Sequence, residues 1–279
     1  MDNSRSKDYI LGNLDLLSGQ LRLRILGLYN QAHAGHIGCS LSCIDLMIGI
    51  LLLNKQEKDT FILSKGHAAA SLYACLNWLG EISDEDLTTY YKDGTTLPAH
   101  PAALQYTSIP FATGSLGHGL PIATGIAHAS KLLADETYTY VLLSDGETNE
   151  GTTWEAAHFA LQHNLDNLFM FIDKNGLQGF GNTSDVLGDT AATAKWQAIG
   201  FETVEVDGHN IGEIHTTINE LKSHKNGLPK AIIASTVKGK GVSYMEDKLE
   251  WHYLPMSPDQ YAAAQQEIHE KYINTLTNA

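Results

Sequence analysis

Apolar residues recur at helical spacing from Ile10 through Leu14, Leu17, Leu21, Ile25 and Leu28, which predicts a long amphipathic helix over residues 7–31. The polar stretch AHAGHIGCS ends it. Ser42 and Asp45 then open an apolar helix that runs through LMIGILLL to Leu53; that run is too short to cross a bilayer and reads as buried. Thr60–Leu63 reads as a short strand, and SKGHAAASLYACLNWLG turns from a strand end into a helix that stops at Gly80. Residues 93–117 show little periodicity and are rich in Gly, Pro and Thr. A loop of that length in a compact domain usually carries function.

From Gly119 the pattern becomes regular. It predicts a small-residue helix over 119–133, strand 138–143, helix 152–163, strand 167–172, a loop over 173–188, helix 190–199, strand 201–206, helix 211–223 and strand 230–235. A second Gly-rich loop, VKGKGVSYMEDKLEWHYLPMSP, precedes a polar terminal helix. Strands that alternate with helices imply an α/β fold, a parallel sheet with helices on both faces. No repeat, low-complexity tract or linker divides the chain, so residues 1–279 read as a single domain.

Composition narrows the function classes. Hydrophobic residues make up 43% and charged residues 18%, enough for a large core. The net charge of −14 argues against a nucleic-acid surface, which needs clustered basic residues. The opening MDNSRSKDYILGNLD is polar and acidic, so no secretory leader is expected. Cys39, Cys43 and Cys75 form no CxxC pair and read as small buried hydrophobes in a reducing, cytoplasmic compartment.

In an open parallel sheet, ligands bind beyond the carboxyl ends of the strands. The unusual residues fall there: SKGH, SDGETNEG, DKNGLQGFG and VKGKG each follow a predicted strand. Asp145 and Asn175 stand one strand–helix–strand unit apart, so neighbouring strands bring both to one edge. A carboxylate and an amide oxygen are hard ligands, suited to Mg²⁺ or Ca²⁺ and not to zinc. Water, a backbone carbonyl and phosphate oxygens would complete the shell. Gly146 lets backbone approach a phosphate, and the following helix points its positive end at the same place. Equally, the residues suit an ordinary helix start, with Asp145 as cap and a second acid as dipole partner. Lys238 and Lys240 are either diphosphate contacts or a solvated loop pair. No GxGxxG follows a strand, so dinucleotide binding is disfavoured.

From Ala32 to Pro255 the chain resembles the N-terminal, diphosphate-binding domain of transketolase, a thiamine-diphosphate enzyme. The resemblance rests on AHAGHIGCSLSCID, FILSKGHAAASLYA, AHP, TGSLGHGL, SDGETNEGTTWEAAHFA, NLDNLFMFIDKNGLQGFG and TVKGKGVSYME followed by WH, all in family order and spacing. It implies the thiamine-diphosphate-binding fold, with Asp145, Asn175 and the Leu177 carbonyl on Mg²⁺ or Ca²⁺ and the Gly146 N–H on the diphosphate. Gly114, Ser115 and Leu116 match the loop that grips the cofactor rings. Glu147, Asn175 and Lys238 join the cofactor-binding positions, Glu147 with no role beyond solvating the helix start. His67 and His252 are implied near the diphosphate and reacting centre, His33 and His100 on sugar hydroxyls. Glu150 matches an acid that links two active sites across a subunit interface. Two departures stand out: Ser144 where the family has glycine, and His118 where it has glutamine. His36 is open between a site residue and a bland one. His128, His158, His163, His209, His215, His224 and His269 read as surface or capping residues.

The implied reaction is transfer of a two-carbon ketol unit from a ketose (phosphate) donor to an aldose acceptor. In that family the glutamate that activates the aminopyrimidine, and the arginines that hold sugar phosphate, lie on a second domain. The resemblance is therefore to split transketolases: a partner chain is expected to carry that glutamate, in an α₂β₂ assembly with the cofactor between chains. The alternatives are another thiamine-dependent subunit, such as a deoxyxylulose-phosphate-type synthase or a carboligase, and a non-catalytic scaffold.

Overall fold

A computed structural model describes residues 6–274; Met1–Arg5 of the polar opening segment lie outside the described residues. Two helices replace the expected single helix over 7–31: α1 (Lys7–Gly12) and α2 (Leu14–Ala32). Asn13 sits between them at φ −138, and its side chain donates to the Tyr9 carbonyl at 2.9 Å, so it competes with the helical ladder. Helix α3 (Ile37–Met47) begins earlier than Ser42 and continues as a wider π-type coil over Ile48–Asn54. Its 18 residues from Ile37 to Asn54 are apolar enough to cross a membrane by composition, yet all are buried inside the protein.

The first strand, β1 (Thr60–Leu63), leads into α4 (Ala69–Leu79), which Gly80 ends at φ 83. A short α5 (Asp84–Leu87) interrupts the following loops, its start fixed by a reciprocal Ser83–Asp86 capping box. Then come α6 (Gly119–Leu132), β2 (Thr139–Ser144), α7 (Gly151–Gln162) and β3 (Leu168–Lys174). The expected loop 173–188 instead holds a tiny hairpin, β4 (Leu177–Gln178) and β5 (Gly181–Asn182), and α8 (Thr183–Leu187). Helix α9 (Thr193–Ile199) is shorter than the expected 190–199. The chain closes with β6 (Glu202–Asp207), α10 (Ile211–Ser223), β7 (Lys230–Ser235) and α11 (Pro258–Ile268).

The main sheet has the order β1-β2-β3-β7-β6, with every pair parallel. Alternate strand residues feed opposite cores, as the pleat requires. Leu63, Tyr140, Leu142, Phe169, Phe171 and Ile232 face the core that holds α2, α3, α4 and α10. Ile62, Val141, Leu143, Met170, Ile172 and Ile233 face the one that holds α6, α7 and α9. The continuous apolar runs in these strands follow from burial on both sides. Register then builds the functional edge. Ser144 pairs with Asp173 and Lys174 with Ser235, so β2, β3 and β7 end level and release Asp145, Asn175 and Lys238 from the same edge.

Candidate active site

A cavity of about 500 Å³ opens beyond those strand ends. Asp145, Gly146, Asn175, Leu177 and Lys238 line one side of it. Asp145 is 1% exposed, and its two carboxylate oxygens accept N–H groups from Gly146 at 2.7 Å and Gly176 at 2.6 Å. Burial, reinforced by the nearby Asp173 carboxylate, pushes its pKa up to about 6. That is a negative group short of a cation. The Asn175 amide oxygen accepts the Leu177 N–H at 3.1 Å. Lys238 is 1% exposed, and its ammonium donates to the Leu177 carbonyl at 3.2 Å and lies 3.1 Å from His252 Nδ1. A positive group thus already rests on one of the three oxygens expected to hold a metal. The donor set is all oxygen around a buried carboxylate, which fits a hard divalent ion.

The opposite side is built by histidines. His36, His67, His100 and His252 line the cavity; His33 does not. His33 ends α2 in the left-handed conformation and is exposed, whereas His36, also left-handed, starts α3 and turns inward. The reason is a close contact at Gly35. A Cβ there would meet the Tyr253 carbonyl oxygen at 2.5 Å, and the His36 N–H donates to the His252 carbonyl at 3.1 Å. The His36 ring centroid lies 5.4 Å from that of His67, 6.2 Å from His100 and 5.0 Å from His252. Burial lowers His67 to about 4, so its ring is neutral at physiological pH. The place in the cavity wall expected for His33 is therefore occupied by His36.

The loop before α6 brings Gly114 and Leu116 to the cavity, while Ser115 and the exposed His118 face away from it. Gly117 stands at φ 83, and a Cβ there would strike Thr152 Oγ1 at 2.6 Å and Glu150 Cβ at 2.7 Å. Glu150 caps α7 and stands exposed at the cavity rim. Glu147 does not reach the cavity. It is fully buried and accepts the Ser64 hydroxyl and the Gly117 N–H, the latter at 2.8 Å. It ties the end of β1 to the 114–117 loop. Burial raises its pKa to about 7. Ser144 lines the cavity as the last residue of β2, and Lys240 lies off its lining.

Several site residues escape sequence reasoning. Lys65 and Asp173 form a fully buried ion pair, and Lys65 also donates to the Cys39 carbonyl at 3.0 Å. Asp173 further accepts the hydroxyls of Ser42, at 2.6 Å, and Thr236. The available signal was the lysine in SKGH and the aspartate in FIDKN, both directly at strand ends. Cys39 is 2% exposed, but it lines the cavity, with Sγ 3.7 Å from His252 Nδ1. Cys43 and Cys75 are the core residues expected. His209 is no surface group either. Its Nδ1 lies 2.8 Å from Asp45 and its Nε2 accepts the Val237 N–H at 2.9 Å, beside Lys238.

Known proteins resemble this chain in sequence and fold. The family model described as "Transketolase, thiamine diphosphate binding domain" matches residues 18–272. An apulose-4-phosphate transketolase subunit from Actinobacillus succinogenes is 38% identical, over 87% of this chain and 90% of its own length. The equivalent apulose-4-phosphate transketolase subunit from Phocaeicola vulgatus is 36% identical over 92% and 94%. The crystal structure of Campylobacter jejuni transketolase superposes with a TM-score of 0.82 at 27% identity, over 91% of this chain and 42% of that one.

Proposed function

Because the chain belongs to the transketolase family, as the thiamine-diphosphate-binding N-terminal subunit of a two-subunit enzyme that transfers a two-carbon ketol unit, we propose how its cavity serves that reaction. Asp145, Asn175 and the Leu177 carbonyl hold Mg²⁺, and Lys238 and the Gly146 backbone hold the diphosphate. The observation that carries this reading is the meeting of those oxygens with a buried ammonium in one cavity at three strand ends. Mg²⁺ keeps about six oxygen ligands, and three from protein leave room for phosphate and water. At present the Gly146 N–H is taken by Asp145 Oδ1; a metal on that carboxylate would free it.

When bound, the cofactor supplies the electron sink for the bond changes at the ketose carbonyl. The chain's own residues bind, orient and move protons. His36, His67, His100 and His252 form one wall of the cavity, where a ketose would meet them. The neutral His67 ring has one nitrogen to donate and one to accept. A partner subunit closes the cavity and carries the glutamate for the aminopyrimidine, in an α₂β₂ assembly joined partly through Glu150. Exposed Phe180 and Leu187, 88% and 63%, stand on the cavity rim and support a covering chain. Three free thiols support a cytoplasmic setting.

The test is calorimetric titration of thiamine diphosphate into the assembled complex with and without Mg²⁺. Asp145→Ala should weaken binding at least roughly 100-fold in the presence of Mg²⁺. Unchanged affinity would sink the metal assignment.

A further inference from the structure

Two kinds of donor share this cavity. Asp145, Asn175 and Leu177 offer hard oxygens on one side. His36, Cys39 and His252 offer two imidazole nitrogens and a sulfur on the other, and one ligand atom from each lies within 4.8 Å of the other two. We propose that His36, Cys39 and His252 form a separate binding site for a borderline-soft divalent cation of the zinc type. Thiolate and imidazole select such ions, while Mg²⁺ and Ca²⁺ avoid sulfur.

The geometry carries the proposal. A tetrahedral ion with bonds of about 2.3 Å to sulfur and about 2.0 Å to nitrogen spaces its sulfur and nitrogen donors about 3.5 Å apart. Cys39 Sγ and His252 Nδ1 stand 3.7 Å apart. His36 Nδ1 is buried with no hydrogen-bond partner, so a rotation of the ring breaks no protein contact at that atom. The backbone fixes all three. His36 and Cys39 are three residues apart at the start of α3, on one face of its first turn. The Cys39 N–H donates to the His36 carbonyl at 3.1 Å, and the His36 N–H to the His252 carbonyl at 3.1 Å. A water or ligand atom would take the fourth position.

One neighbour opposes the ion. Lys238 stands 3.1 Å from His252 Nδ1, and two cations cannot share that lone pair. Lys238 must withdraw toward the Leu177 carbonyl, which it already contacts. A zinc-type ion here therefore competes with the diphosphate for Lys238 and His252. That consequence rests on the cofactor placement proposed above; the metal site itself does not. The chain would bind a thiophilic metal when empty of cofactor and resist it when loaded.

The test uses Co²⁺ as a spectroscopic probe on the full chain, free of Mg²⁺ and thiamine diphosphate. One equivalent should give a thiolate-to-cobalt charge-transfer band, with visible absorption of tetrahedral strength, and Zn²⁺ should displace it. In Cys39→Ser, shown folded by its melting curve, the charge-transfer band should vanish and Zn²⁺ affinity should fall at least tenfold against a chromophoric chelator. Asp145→Ala should keep the band. No band in the wild-type chain, or a band that survives Cys39→Ser, overturns the site. If the band behaves as stated but saturating thiamine diphosphate with Mg²⁺ leaves the Zn²⁺ affinity of the assembled two-subunit complex unchanged, the metal site stands and the cofactor placement fails.

Discussion

Lys65 and Asp173 pair at the ends of β1 and β3, both fully buried, and Lys65 lines the cavity. Burial alone would raise the Asp173 carboxyl, but the Lys65 ammonium together with the Ser42 and Thr236 hydroxyls outweighs it and holds the group below its usual range. Removing one partner leaves a lone charge with no solvent. Lys65→Met should cost about 3–5 kcal/mol, and pairing it with Asp173→Leu should recover part of that loss. Urea melts of the two variants check this; equal losses would contradict it.

His67 sets an acid limit. Its pKa falls from 6.5 to about 4 on folding, chiefly through burial. Between those values the unfolded chain binds more protons than the folded one, so stability rises with pH across that window and is lost as pH falls through it. At 1.36 kcal/mol per pH unit, the full swing is roughly 3 kcal/mol. In His67→Asn the denaturation midpoint should drop less between pH 7 and pH 5 than in the parent chain. An identical slope in both would refute the assignment.

Gly117 has no room for a side chain. Gly117→Ala combines a left-handed backbone with contacts at 2.6 Å and 2.7 Å to Thr152 and Glu150. It should lower stability by about 1–3 kcal/mol and displace Glu150 at the rim. Thermal melting reads the first effect. Sedimentation of the two-subunit complex reads the second, as a weaker assembly.

His209 positions the cavity lysine without touching the cavity. It joins Asp45 to the Val237 N–H, one residue before Lys238, and Asp45 also pairs with the buried Arg22. His209→Phe orphans that N–H. If this moves Lys238 at a cost of about 1.4 kcal/mol, thiamine diphosphate binding weakens about tenfold. Mg²⁺-dependent binding by the variant measures it; loss of stability with unchanged affinity would mark His209 as structural only.

The strands and most helices were legible because burial on both faces writes long apolar runs into the chain, as in YVLL and LFMFI. The break at Asn13 was not, because one side-chain bond to the Tyr9 carbonyl decides it and leaves the apolar spacing intact. The convergence of Asp145 and Asn175 was readable because register follows from strand ends. The placing of the first histidine missed by three residues. His33 and His36 are both polar positions in one turn, and the choice between them is made by Gly35 against Tyr253, a contact more than two hundred residues away in sequence. Cys39 misled for a related reason. Its burial was read correctly, but burial says nothing about which neighbour the sulfur faces.

That same contact orders events during synthesis. The His36 N–H finds its acceptor only when His252 exists, so the histidine side of the pocket cannot form on a nascent chain until residue 252 has been translated. Contacts of such long range are slow to close and are rewarded late in folding. A chain cut short before residue 252 could still pair β1, β2 and β3, yet it would present an oxygen-lined corner with no opposite wall.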